Sequence, residues 1–194
     1  ESIMQKSLEE LVDIENFDLK YFDISFIKSI SNLLPDLEIV SFSSIEINQL
    51  IIQRNGFLGL PLLRPIQQSR VLKSLNGDVA ENNSYIQVNM FNKTNQERVN
   101  DVDKIIKDNG YPYNNKYIVL FNDKNVIRDG QHRASSMIHN GISGSIPVIR
   151  MYFKDKKHNL SKRRLIKIIC RKLISLIRKI AGKGYRTFKR LISL

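Results

Sequence analysis

Tyr117-Ile-Val-Leu-Phe121, Asn122-Asp-Lys-Asn125 and Val126-Ile-Arg-Asp-Gly-Gln-His-Arg-Ala134 follow one another without a break, and their reading decides the fold. The first segment is β-branched and aromatic, the composition of a strand. The polar tetrapeptide has the make-up of a tight hairpin connection into a second strand at Val126-Ile127. Asp129-Gly130 then breaks the extended pattern. From Gln131 the apolar residues Ala134, Met137 and Ile138 recur on one helical face until Gly141 supplies a stop. Strand, hairpin, glycine turn and helix in that order predict an α+β domain with a small sheet and flanking helices.

The same order has a chemical implication. The first backbone N–H groups of a helix lack internal partners and sit at the positive end of its dipole, so an anion docks there. Gly130 allows close approach of the backbone, Gln131 opens the helix, and His132 and Arg133 add side-chain donors, the guanidinium matching phosphate oxygens in a bidentate fork. On this reading Arg133 can be removed at the expense of phosphate binding while folding survives. Asp129 repels phosphate, so it caps the helix, orients His132 or helps to hold a divalent metal. The plainer reading is an ordinary Asp-capped surface helix.

Ile127-Arg-Asp-Gly-Gln-His-Arg-Ala134 resembles the signature of the ParB/sulfiredoxin-like superfamily, whose members carry Gly-Glu-Arg-Arg, Gly-Cys-His-Arg or Asp-Gly-His-His-Arg at this turn. Gln96-Glu-Arg98, the helical run Val99 to Asn109, Gly110 and the strand at Tyr117 follow the order of that family. The pattern is similar to the ParB-like proteins found among bacterial surface-polysaccharide biosynthesis genes, and the resemblance covers about Ser84 to Phe153. It implies a compact ParB/sulfiredoxin-like core over residues 84–155, a helical N-terminal extension over 1–83 packed on it, and a basic amphipathic helical tail over 156–194. It also implies that the motif binds nucleotide phosphates, with Arg98 a second phosphate ligand. Glu97 would then be the nearest carboxylate able to act as a base, alongside Asp129. The bland alternative makes Glu97 and Arg98 a solvated first helical turn.

Composition bounds the rest. The 194 residues suit one domain with an appendage, and the single cysteine, Cys170, excludes an intramolecular disulfide and a cysteine-based metal knuckle. No secretory signal is evident at the acidic start, and because residue 1 is Glu, a leader or further residues are expected to be missing. Of the 31 basic residues, 14 lie in 156–194, which has no Asp or Glu. Residues 1–155 therefore carry 17 basic against 19 acidic residues, a net of −2. Whatever anionic partner the charge of +12 serves is met by the tail.

Elsewhere, residues 2–34 read as helices, with Leu8, Leu11 and Val12 on one face and Phe26, Ile27, Ile30, Leu33 and Leu34 on another before Pro35. Leu37 to Phe42 alternates as a short strand, and Ser43-Ser44 with Glu46 suggests a helix running to Asn55-Gly56. Phe57 to Pro65 reads as a connection, Gln67 to Leu75 as a helix closed by Asn76-Gly77, and Tyr85 to Phe91 as a strand. Thr94 caps the helix that ends at Asn109-Gly110. Ile146 to Phe153 is a closing strand, with Pro147 placing it at an edge or standing as its first residue.

In the tail, Leu165, Ile166, Ile169, Leu173, Leu176, Ile177 and Ile180 share one helical face, with Arg164, Lys167, Arg171 and Arg178 opposite. Charges recurring every three or four positions argue against spanning. Lying in the interface plane satisfies both faces, through Lys167, Arg171 and Arg178 on anionic headgroups and Leu173 and Ile177 among acyl chains. A docked helix and a DNA-binding helix are the alternatives.

Two functions follow. One is a phosphotransferase, a kinase using a nucleoside tri- or diphosphate with Mg2+. It would act in the cytoplasm on the inner membrane face, beside glycan-biosynthesis proteins, as resemblance to the superfamily's free-serine kinases suggests. The other is a nucleotide-gated module without turnover, as the superfamily's CTP-dependent DNA clamps imply. Those carry a helix-turn-helix domain, where only the basic tail follows here, so nucleic acid is disfavoured. Sulfiredoxin chemistry is disfavoured more strongly, since Gln131 stands where that family has its cysteine.

Overall fold

The computed structural model describes residues 14–55, 61–85 and 93–154. The readings of Leu8, Leu11 and Val12, of Phe57 to Leu60, of Ile86 to Phe91 and of the tail lie outside these residues. The chain divides into two compact units, Glu1–Arg54 with Leu63–Lys156, and Asn55–Leu62 with Lys157–Leu194. Of the second, only Asn55, Pro61 and Leu62 are described, as strand residues. Everything that forms the site lies in the first.

The elements in chain order are α1 (Ile24–Ser29), β1 (Leu37–Glu46), β2 (Ile51–Asn55), β3 (Pro61–Pro65), α2 (Arg70–Leu75) and α3 (Ala80–Ser84). They continue with α4 (Asn95–Asn109), β4 (Ile118–Phe121), β5 (Ile127–Asp129), α5 (Gln131–His139) and β6 (Ser145–Phe153). The protein is α+β, as expected. Its main sheet is mixed, in the order β1-β6-β4-β5, and β2 pairs with β3 in a separate two-stranded sheet. β4 runs parallel to β6, while β1–β6 and β4–β5 are antiparallel.

Both faces of the sheet are covered, which is why β4 reads as an unbroken apolar run: all four of its residues are buried. Val119 and Phe121 point into one core with Ile149, Met151 and Phe153 of β6 and with Phe26 and Ile27 of α1. Ile118 and Leu120 point the other way, into a second core with Val148, Ile106 of α4, and Ala134 and Met137 of α5. The period of two along each strand assigns every side chain to a face. The hairpin turn is tied from outside. Asn122, at φ 51°, receives the Phe153 amide on Oδ1 at 3.0 Å. Arg150 donates to the carbonyls of Asn122 and Lys124 and to Asn125 Oδ1.

Four expectations are corrected. Ser43-Ser44 does not start a helix: β1 continues to Glu46, followed by a 3-10 turn at Ile47–Gln49 and then β2. Pairing of Ile45 with Ile146 carries Ile45 into the second core, and this burial overrides the local capping signal. Pro61–Pro65, expected as connection, is a strand. β6 is an interior strand and Pro147 is its third residue. A proline is tolerated there because β4 pairs with β6 only from Val148 onward, leaving no ladder partner for Pro147 on that side. The segment expected as a helical N-terminal extension also supplies β1 to the main sheet, so among the described residues it is not all helical.

Candidate functional site

Asp129 is the last residue of β5, and the chain turns into α5 at Gly130, which adopts φ 90° and ψ 19° as the N-cap. A side chain there would press on Ile118 Cγ1 at 3.0 Å, Ile118 Cα at 3.1 Å and Arg133 Nε at 3.1 Å, and the positive φ favours glycine in any case. No side chain caps the helix. The Asp-capped reading is therefore replaced: the Asp129 carboxylate accepts from Arg133 Nη2 at 2.7 Å instead.

The turn opens onto a cleft of about 400 Å³ lined by α1's N-cap Asp23, by Arg70, Tyr85, Arg98 and Val102, and by Ile127 through Arg133. Asp129, Gly130, Gln131, His132, Arg133 and Arg98, all singled out from sequence, thus share one cavity. Glu97 does not join them. Its carboxylate accepts from Thr94 N at 2.7 Å and Thr94 Oγ1 at 2.9 Å, closing a capping box with Thr94 at the start of α4. Those bonds hold its pKa below the usual carboxylate value.

The walls are fixed to one another by polar clamps. Ser69 Oγ, which caps α2 by accepting from Leu72 N, also bonds Ser135 Oγ of α5 at 2.7 Å, fully buried. Asp103 of α4 accepts from Ser136 Oγ at 2.6 Å and from Asn140 Nδ2 at 2.9 Å. Gln96 Oε1 accepts from Ser74 Oγ and Asn82 Nδ2, joining α2, α3 and α4. Buried polar groups satisfied in this way set the spacing of helices more sharply than apolar contact alone.

Arg133 is held by three acceptors: Asp129, Asp23 at 3.2 Å through Nη1, and the Tyr117 carbonyl at 3.1 Å through Nη2. Asp23 is α1's N-cap but makes no capping bond, its carboxylate turning to Arg133 instead. Burial pushes the Asp129 carboxyl upward, against the guanidinium that pulls it down. His132 is half-buried. Desolvation first, and then the charges of Arg98, Arg70 and Arg133, push its pKa down to about 4, so the ring is neutral at pH 7.

Sequence reasoning missed Asp23, Arg70, Tyr85 and Arg128 as lining residues. Arg70 lies over the Tyr85 ring, its Cζ 3.5 Å from the centroid. Arg128 bonds Gln53 Oε1 at 3.3 Å and lies over Phe121. A helix was legible here but expected from Gln67, whereas it starts at Arg70 after a 3-10 turn over Ile66–Gln68, and an isolated arginine carries no signal of what it faces. In all, four arginines and two aspartates line the cleft. Among the described residues no cluster of three or more His, Cys, Asp or Glu could hold a metal ion, and no helix is long and apolar enough to cross a membrane. Comparison of the chain with protein-family models, with curated proteins and with solved structures finds no significant match.

Proposed function

We propose that the cleft at the start of α5 binds the phosphates of a nucleotide, in the manner of a ParB/sulfiredoxin-like domain. The observation that carries this reading is the convergence of Arg98, Gly130, Gln131, His132 and Arg133 on one cavity whose lining is net cationic. The order of the resemblance supports it too: an Arg98-bearing helix, Gly110, β4, the motif, α5 and β6 follow in sequence. Uncapped N–H groups at α5 and the surrounding arginines supply the electrostatic complement of a phosphate chain.

Whether the bound nucleotide is turned over rests on Asp129. Glu97 is spent on its own helix, which leaves Asp129 as the motif carboxylate at the cavity, with Asp23 beside it. Mg2+ is commonly held by one or two protein carboxylates together with the phosphates it accompanies. Asp129 and Asp23 are the residues that would hold it, and the ion would neutralise charge on the transferring group. A phosphotransferase working at the inner membrane face beside glycan-biosynthesis proteins joins this site to the basic tail, with Lys167, Arg171 and Arg178 on lipid headgroups. A nucleotide-binding module without turnover is the second reading, favoured by the engagement of Asp129 with Arg133 at 2.7 Å. A thermal-shift screen of ATP, ADP, CTP and GTP with Mg2+ tests binding, and γ-phosphate release over sugar, lipid-linked sugar and amino-acid acceptors separates the two. Stabilisation by none of the four nucleotides removes the proposal.

A further inference from the structure

The four arginines of the cleft are not equivalent. Arg133 already donates to two carboxylates and a carbonyl. A ligand using its fork must displace these charge-assisted bonds. Arg70 stands in the opposite condition. It is half-buried, and among the described residues no carboxylate lies within ion-pair distance of it. Its Nε, like those of Arg128 and Arg133, is buried without a hydrogen-bond partner, but Arg70 has no carboxylate among the described residues to hold its other N–H groups. Burial works against its charge most, Tyr85 supports it, and the neighbouring Arg54 and Arg98 work against it. What holds it is Tyr85, whose ring centroid lies 3.5 Å from the guanidinium Cζ and whose side chain supports the charge.

Its position is also fixed from behind. Arg70 is the first residue of α2, directly after Ser69, whose hydroxyl is locked between Leu72 N and Ser135 Oγ of α5. The arginine is therefore set at a constant place relative to the start of α5. The charge of the cavity adds a second constraint. Four arginines against two aspartates leave the lining two positive charges in excess, and His132 is neutral. A ligand with one negative charge leaves part of that excess uncompensated in a half-enclosed space.

Resting on the reading of this cleft as a phosphate site, we infer that Arg70, backed by Tyr85, is its principal anion ligand. We infer also that the group it takes carries at least two negative charges, as a phosphomonoester or pyrophosphate does. Arg133 keeps its carboxylates and acts as a positioning residue for Asp129 and Asp23.

Calorimetric titration of the full chain with sodium pyrophosphate, methyl phosphate and dimethyl phosphate tests this. Wild type should bind pyrophosphate and methyl phosphate, with dimethyl phosphate, a monoanion, at least tenfold weaker. Arg70→Gln should weaken pyrophosphate binding at least tenfold. Arg70→Lys, which keeps charge but loses the fork, should weaken it about threefold. Lys73→Gln, on the same helix but outside the cleft, should stay within twofold. Thermal melts establish that each variant folds, and Tyr85→Leu, which removes the backing ring and leaves Arg70 in place, should weaken binding severalfold if Arg70→Gln does not fold. Wild-type affinity in Arg70→Gln, or equal binding of methyl and dimethyl phosphate, overturns the inference while leaving the cleft reading intact. Failure of wild type to bind pyrophosphate, methyl phosphate or any nucleotide overturns both.

Discussion

Arg133 donates to Asp129 across the strand-to-helix turn at 2.7 Å, so the two charged residues of the motif first of all satisfy each other. Their side chains are only 15% and 23% exposed, and Asp23 closes the pair from α1. Removing one partner of such a pair leaves the other desolvated and unpaired, a cost of about 3 kcal/mol. Arg133→Ala should therefore lower the free energy of unfolding by about that amount in urea titration, and Asp129→Asn on that background should recover part of it. A loss below about 1 kcal/mol would show that the pair is solvated.

Gly130 and Gly77 both have positive φ, 90° and 99°, but differ in surroundings. A Cβ at Gly77 meets nothing within 4 Å, whereas at Gly130 it strikes the Ile118 backbone and Arg133. Gly77→Ala should cost about 1 kcal/mol, the conformational penalty alone. Gly130→Ala should cost at least about 2 kcal/mol, because crowding is added. Equal midpoint shifts for the two in chemical denaturation would show that the turn yields without strain.

His132 makes stability depend on pH. Its folded pKa of about 4 lies below the ordinary 6.5, under desolvation and the charges of Arg98 on α4, Arg70 on α2 and Arg133 on α5. Between those values the unfolded chain binds more protons than the folded one. Stability is therefore full above pH 6.5 and is lost as pH falls toward 4, by at most roughly 3 kcal/mol. His132→Gln should flatten this part of the profile, measured as unfolding midpoint against pH. An unchanged slope in the variant would assign the effect to other groups. Bound phosphate should raise the pKa of His132 and shrink the slope as well.

The tail's proposed role has its own test. Residues 156–194 hold 14 positive charges, and a helical reading of the sequence would put Leu and Ile on one face, so electrostatic and apolar terms would act together on lipid. Leu173→Asp with Ile177→Asp should abolish cosedimentation with anionic liposomes almost as fully as deletion of Lys162 to Leu194, with body folding unchanged. High salt should weaken binding only in part. Retention by the double variant, or complete release by salt alone, would show that the apolar face is not in the membrane.

How far the sequence carried depended on whether the determining interaction was local. The hairpin from Tyr117 to Asp129, the start of α5 and the Thr94 cap were legible because turn chemistry and apolar period lie within a few residues. The extension of β1 through Ser43-Ser44 was not, because its cause is pairing with β6, about a hundred residues later in the chain. Likewise the motif announced Gly130, His132 and Arg133, but not that Asp23, from far upstream, would take part of Arg133's fork, nor that Arg70 would face the same cavity. Glu97 illustrates the reverse case. Its capping signal was present in the sequence, and the local role accounts for its carboxylate.

The claim on which the rest depends is that phosphates sit at the start of α5, and backbone amide shifts report that directly. In 1H–15N spectra of the full chain titrated with the nucleotide that gives the largest thermal shift, the greatest movements should fall on the amides of Gln131, His132 and Arg133. The Nε–H of Arg70 should move with them, and Glu97 should hold still. Saturating nucleotide that leaves these three amides unmoved, while shifting residues elsewhere or none, would contradict the account.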